Sequence, residues 1–578
     1  MDIEQLLKCP RCQFVREHYE VLNGQWDFAF DYDNKGEALQ FHKGFKKDND
    51  ILVPFPYETK ASGVGIEELC ENVWYQKHLN ITKKARKRYI LHFEGLDYVS
   101  KVFVNSNYVG SDRGAYHRQS FDITDYIKDG DNLLVVKCED SYSMRQPRGK
   151  QRWKKESFTC FYVDIVGIYK PVWLEEVDES YIVHMKMTPD LDRNLIDFDF
   201  EYSRYKDLKL EISLVDNGNI IEEKIYPLQS KYENHVFEIE DKMTPWSPLN
   251  PKLYDLKLRL IDEKNNILDE VISYVGFRKV EGKDGFTYLN NRPLYQKLVL
   301  DQGYWKESSI TPKSLDDLKD DILKMKAFGF NGCRKHEKVE DERFLLLADY
   351  LGYLVWEEIP SFYEMSEEAK ENYRGELPHI LKEFYNHPSI ITWTLFNESW
   401  GIEDILDNKD TQKFVDEMYH LTKEYDQTRF VITNDGWEHT LSDIITYHHY
   451  NQSGDLLYSF YEDKEASLTE IWKDHWKGAF AHGYQYRGQP IIFSEFGGTA
   501  FVKNVNDTNW GYGQAVKDDD EYIARLDSLF GALQKLSYLS GYCYTQVSDV
   551  EQEVNGLLDH DHKEKINPEL LRKIQERK

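Results

Sequence analysis

Two glutamates stand directly behind long apolar runs: Glu398 after IITWTLFN and Glu495 after PIIFS, 97 residues apart. A pair of carboxylates facing each other across a cleft can hydrolyse a glycosidic bond. One, protonated, donates to the leaving oxygen; the other, ionised, attacks the anomeric carbon or activates a water. Mutual repulsion and partial burial are what set two carboxylates to opposite protonation states. The competing reading is that each glutamate forms a fold-stabilising ion pair with a nearby Arg or Lys.

Other polar groups follow apolar runs in the same way. They are Asp301-Gln302, then Arg334, Lys335 and His336, then Glu357-Glu358, then Asn397 beside Glu398. Further on come Asn434 and Asp435 with Trp437, then His448, His449 and Tyr450, then Glu495, and last Tyr544 and Gln546. Adjacent strand residues point to opposite sheet faces, so at most one of Glu357 and Glu358 faces a shared cleft. His336-Glu337 is not a zinc motif, because position 340 is Glu rather than His. His448-His449 lacks an evident third ligand, and no metal or cofactor is expected.

These residues need elements that gather them. From about residue 278, eight apolar strand-like runs alternate with helical segments: 295–301, 330–334, 353–359, 390–396, 429–435, 444–450, 490–496 and 539–545. Apolar strands alternating with helices indicate a parallel sheet covered on both faces. Eight in this span predict a (β/α)8 TIM barrel over 278–578, with the polar groups at the C-terminal strand ends. An open doubly wound sheet is the runner-up, but GxGxxG is absent. Residues 1–178 show short strands punctuated by turns such as Asn23-Gly24 and Asp129-Gly130, which predicts a β-sandwich. Residues 179–277 predict a second, immunoglobulin-like β-sandwich.

The chain closely resembles glycoside hydrolase family 2, of β-galactosidase, β-glucuronidase and β-mannosidase, and its QGYW-type subgroup. The sandwich signatures are LNGQWDFAFD (22–31), ILVPFPYETKASGVG (51–65), GIYKPVWLE (167–175) and VGFRKVE (275–281). The barrel signatures are DQGYW (301–305), GFNGCRKHEKVED (329–341), LVWEEIPS (354–361), FNES (396–399), NDGWEH (434–439) and FSEFGG (493–498). The resemblance spans essentially the whole chain and implies a jelly-roll-like N-terminal sandwich. It implies retaining double displacement with Glu398 as acid/base and Glu495 as nucleophile. It also implies that Asn397 holds the sugar 2-OH, that Tyr450 and Arg334 keep Glu495 ionised, and that His336, His448, Asp301, Trp437 and Tyr544 contact substrate.

The sugar is less defined. The Asn-x-Lys element of the family's glucuronidases is not reproduced, because Asn555 is followed by Gly556 and Leu557. The chain ends soon after the barrel, without the further C-terminal sandwiches of large β-galactosidases. The first expectation is an exo-acting enzyme on small β-galactosides or related glycosides. A furanosidase (β-galactofuranosidase or α-L-arabinofuranosidase) and a non-catalytic carbohydrate-binding protein stay open. Aromatics at 14% suit sugar-facing clefts or aromatic-rich sandwich cores equally. A net charge of -29 repels phosphate backbones and anionic membranes, so neither nucleic acid nor membrane is an expected partner. Seven scattered cysteines with a lone Cys9-x-x-Cys12, no signal segment and no long apolar run predict a cytoplasmic protein without a disulfide framework. A homo-oligomer is left open.

Overall fold

In the computed structural model, described for residues 3–472, 476–501 and 509–577, the eight apolar runs become one parallel sheet. Its strands are β1 (Gln296–Asp301), β2 (Gly332–Lys335), β3 (Leu354–Glu358), β4 (Ile390–Thr394), β5 (Phe430–Ile432), β6 (Ile445–His449), β7 (Ile491–Gly497) and β8 (Leu539–Thr545). Their hydrogen-bonded order is β5-β4-β3-β2-β1-β8-β7-β6, the order of a (β/α)8 barrel. The β5–β6 seam is bridged by the chain just ahead of β6, where Asp443 N donates to Val431 O at 2.8 Å and Asp443 Oδ2 accepts from Val431 N at 2.9 Å.

Strand periodicity sorts the side chains into two layers. Leu298, Leu300, Leu354, Trp356, Ile391, Ile432, Ile492 and Cys543 form an apolar cluster inside the barrel, joined by Trp246 from the end of the second sandwich. Val299, Cys333, Val355, Val431, Tyr447, Phe493, Tyr542 and Tyr544 belong to the larger cluster between sheet and helices. The helices start on side-chain caps: Ser314 with Asp317 ahead of Leu315–Phe328, and Asp341 ahead of Glu342–Leu351. Each cap satisfies orphan N–H donors at the helix start.

The first sandwich pairs a six-stranded antiparallel sheet with a four-stranded one around Trp26, Phe28, Tyr75, Leu91 and Val136. The second packs three strands on four around Phe198, Ile212 and Leu258. The N-terminal segment runs elsewhere: Leu6, Leu7, Cys9 and Cys12 join the cluster that includes the barrel helices, and Val15 bridges to Ile272 of the second sandwich. All seven cysteines are free thiols. Among the described residues, no helix is long and apolar enough to cross a membrane.

One loop of the first sandwich reaches the barrel mouth. Arg148 N and Gly149 N both donate to Ser361 O, at 2.9 and 3.2 Å, and Tyr363 Oη donates to Gly149 O at 2.5 Å. Gly149 has φ +58°, and a Cβ there would lie 2.1 Å from the backbone oxygen of Glu337. Neither the conformation nor the contact admits a side chain. Gly149→Ala is therefore expected to lower stability by about 1–3 kcal/mol. Gly531→Ala, where a Cβ meets nothing within 4 Å inside helix Asp519–Lys535, is expected to be neutral or stabilising. Thermal unfolding of the two variants side by side checks this.

Candidate active site

The centre is built on alternate residues of neighbouring strands. On β2, Cys333 faces the helices, so Arg334 faces the lumen, where it is fully buried. Its guanidinium meets Glu358 of β3 (Nε to Oε2, 2.9 Å), Asp435 beyond β5 (Nη1 to Oδ2, 2.8 Å) and Glu495 of β7 (Nη1 to Oε1, 2.6 Å). A further bond runs from Nη2 to Asn397 Oδ1 at 2.6 Å. One guanidinium thus gathers three carboxylates and an amide from four strands. Burial alone would disfavour the cation, but Asp435, Glu358 and Glu495 outweigh it and hold Arg334 firmly charged.

Glu398 follows β4 on a turn in which it and Ser399 both have left-handed backbones, φ 51° and 61°. Such residues need surrounding support. Here Glu398 N donates to Asp435 O at 2.9 Å, and Ser399 N donates to Asn434 Oδ1 at 2.9 Å. The turn after β5 therefore holds the turn after β4 and aims the Glu398 carboxylate at the mouth. Glu495 is set by an irregularity: the register shifts between Phe493 and Phe496 against β8, and between Tyr447 and His448 of β6 against β7. A bulge of this kind re-aims a side chain.

His448 joins the two glutamates. Its Nδ1 lies 2.8 Å from Glu398 Oε1 and 3.6 Å from Glu495 Oε2, and its Nε2 lies 3.1 Å from Asp435 Oδ2. Burial works against the imidazolium, but Glu495, Asp435 and these hydrogen bonds outweigh it and carry its pKa up to about 10. Burial raises Glu358 to about 7 despite Arg334, with Asp435 adding to the rise. Asp435 itself is held well below the usual carboxylate range, where Arg334 and His448 overcome its burial. Tyr450 Oη donates a very short hydrogen bond to Glu495 Oε2 and sits 3.1 Å from Thr545 Oγ1, with its ring stacked on Tyr512.

Ligand atoms of Glu398, His448 and Glu495 lie within 4.8 Å of one another, a set that a metal could use. In the structure both ring nitrogens of His448 are engaged by carboxylates, Nδ1 by Glu398 at 2.8 Å and Nε2 by Asp435 at 3.1 Å. The chemistry of this set is ion pairing and proton transfer.

The structure brings together Glu398, Glu495, Asn397, Arg334, Tyr450 and His448. His336 borders them, with Nδ1 3.0 Å from Glu358 Oε2, and Trp437 meets His448 edge-on at 5.6 Å. Asp301 belongs to a separate buried network, 2.8 Å from Lys335 Nζ. Tyr544 is displaced from the role expected of it. Cys543 points inward, so Tyr544 points out, hydrogen-bonding Tyr522 at 3.1 Å and stacking on Phe530. Thr545, one residue on, is the group of β8 that reaches Tyr450. Glu358, Asp435 and Thr545 complete the centre, and strand parity counted from the apolar partners would have picked out Glu358 and Thr545. Tyr512, within the barrel, and the sandwich loop carried no signal linking them to the centre.

A raised imidazole pKa stabilises the fold fully below the free value, about 6.5, and the contribution fades as pH climbs through about 10. His448→Asn is expected to flatten the stability-versus-pH curve between these limits. Denaturant titrations at pH 6, 8 and 10 check it; parallel wild-type and variant curves would be the contrary result.

Three family models match the chain in order between residues 19 and 577. The sugar binding domain of glycosyl hydrolases family 2 matches residues 19–174, a further family 2 model matches 180–278, and the family 2 TIM barrel domain matches 280–577. A putative β-glucuronidase of Formosa agariphila is 30% identical over 373 residues, covering 62% of this chain and 44% of the relative. A β-galactosidase of Thermoanaerobacter pseudethanolicus is 29% identical over 430 residues, covering 69% of this chain and 54% of the relative. The chain thus spans about half the length of these curated relatives. A solved β-glucuronidase from Ruminococcus gnavus superposes with a TM-score of 0.80 at 19% identity, over 97% of this chain and 98% of that one.

Proposed function

Since this chain belongs to glycosyl hydrolases family 2, we propose that it hydrolyses small glycosides from the non-reducing end, with retention, by double displacement on Glu398 and Glu495. The observation that carries this reading is the approach of their carboxylate oxygens to within 4.8 Å at the barrel mouth. Retaining glycosidases hold the two carboxyl groups about 5–5.5 Å apart, too close for an intervening water.

The surroundings divide the roles. Glu495 receives hydrogen bonds from Arg334 and Tyr450, which hold its carboxylate in place for attack on the anomeric carbon. No guanidinium pairs with Glu398 among the described residues, and its side chain is 21% exposed, against 6% for Glu495. It is the one open to the leaving group and to water. In the first step the Glu495 carboxylate attacks the anomeric carbon while Glu398 passes its proton to the departing oxygen. In the second, Glu398 takes a proton from water as that water displaces Glu495, freeing the sugar. Asn397 Oδ1 accepts from Arg334, while its buried Nδ2 has no partner among the described residues. That amide N–H is the donor for the sugar 2-OH, a contact that tightens in the transition state.

A β-hexopyranoside is the substrate class, with the β-galactoside first, as relatives named β-galactosidase support. The test is a panel of nitrophenyl glycosides spanning β-galactoside, β-glucuronide, β-glucoside, β-mannoside and the two furanosides. Turnover of one member that disappears in Glu495→Ala is expected; turnover surviving in that variant would remove the nucleophile assignment. Glu398→Ala should lose about 10²–10⁴-fold on a phenyl glycoside, which needs a proton donor. It should lose far less on a dinitrophenyl glycoside, whose leaving group departs as a stable anion. Equal losses on both would argue against Glu398 as the acid.

A further inference from the structure

Five lysines are buried among the described residues: Lys137, Lys150, Lys170, Lys335 and Lys338. Four have an oxygen partner. Lys137 pairs with Glu139, Lys335 with Asp301 and Glu340, and Lys338 with Glu340. Lys170 donates to the backbone oxygen of Glu340. Lys150, only 3% exposed, has no carboxylate within 4.0 Å among the described residues. Its ammonium lies 4.7 Å over the Trp400 ring and 5.7 Å from that of Phe161, and the thiol of Cys160 is its polar neighbour.

An ammonium taken out of water loses several kcal/mol of solvation, and a cation–π contact returns about 2 kcal/mol when desolvated. The balance calls for an anion. The position of Lys150 is set by Gly149, which the barrel loops grip through Ser361, Glu337 and Tyr363, so the ammonium is fixed relative to the centre. Trp400 comes two residues after Glu398 and is half-buried, as is Cys160. The Trp400 ring also lies 6.1 Å from that of His336, which borders the centre through Glu358, so the ring against which Lys150 rests stands beside the two glutamates. Burial would discharge Lys150, but the negative potential of Glu553, Glu495 and Glu337 outweighs it and raises its pKa. None of those carboxylates comes close enough to pair with it.

We propose that Lys150, supplied by the first sandwich, seats an anionic group of the substrate, a carboxylate or sulfate carried by the sugar or by the leaving group. This rests on the hydrolase reading above and narrows its substrate class to charged glycosides. It also assigns the sandwich loop a part in specificity.

Matched pairs of substrates separate the two sources. For the sugar, 4-nitrophenyl β-glucuronide is compared with the β-glucoside, and the β-galacturonide with the β-galactoside. For the leaving group, 4-carboxyphenyl β-galactoside is compared with phenyl β-galactoside. The charged-to-neutral ratio of kcat/KM is expected to exceed one in one arm. It should fall by about a hundredfold in Lys150→Met and be largely kept in Lys150→Arg. A preference for the neutral member in both arms, or a ratio that Lys150→Met leaves unchanged, would overturn the assignment. The same glycosides titrated calorimetrically into Glu495→Ala, with and without Lys150→Arg, read the preference as Kd without turnover. Absence of Glu495-dependent hydrolysis on every substrate thus sinks the hydrolase reading, while equal Kd for charged and neutral members sinks the Lys150 subsite. If Lys150→Met does not fold, Lys150→Gln takes its place in the Glu495→Ala titrations, and Kd ratios that it leaves unchanged in both arms would likewise overturn the assignment.

Discussion

A single guanidinium inside the barrel, that of Arg334, is the constraint on which the centre depends. Around it stand Glu358, Asp435 and Glu495, three carboxylates within 3.0 Å of one cation. Three carboxylates in a shared low-dielectric space repel one another, and removing the cation would leave several buried charges uncompensated. The second cation, His448, closes the set by lying between Glu398, Asp435 and Glu495. Two cations against four carboxylates leave an excess of negative charge. Burial first, and then repulsion from Asp435 and Glu495, raise Glu358 toward neutrality.

This arrangement separates two chemically identical residues. Glu495 is fastened by Arg334 and Tyr450 and faces inward, while Glu398 rides on a left-handed turn and keeps partial contact with solvent. The difference comes from backbone devices. A register irregularity in β7 aims one glutamate, and the cross-linked turns after β4 and β5 hold the other. A rigid scaffold positions the carboxylates, and the less regular segments decide which is which.

The sandwich domains are not passive supports. Through Gly149 and the bonds to Ser361 and Tyr363, the first sandwich inserts a loop beside the barrel mouth, bringing Phe161 within 5.6 Å of the Trp400 ring. The second places Trp246 against the barrel interior at the end remote from the polar strand ends. The N-terminal segment, with Cys9 and Cys12 buried, packs between the second sandwich and the barrel helices. The three units thus meet around the barrel, and a loop of the first sandwich lies beside the centre.

Much of this was legible along the chain. Eight apolar runs at regular spacing can be satisfied by a closed parallel sheet, and polar residues after such runs must gather at one end of it. Glu398, Glu495, Arg334, Asn397 and Tyr450 follow from that rule because strand order and direction are local consequences of hydrophobic period. Which face a residue takes is also local where strands stay regular: Glu358 rather than Glu357 turns inward, and Tyr544 turns out while Thr545 turns in. What the chain by itself left undetermined is how residues distant in sequence share charge and space. The partnership of Arg334 with Asp435, the place of His448 between two glutamates and the arrival of Lys150 from another domain depend on long-range packing. Burial and Coulomb interaction act through space rather than along the backbone, so only the tertiary structure could decide them.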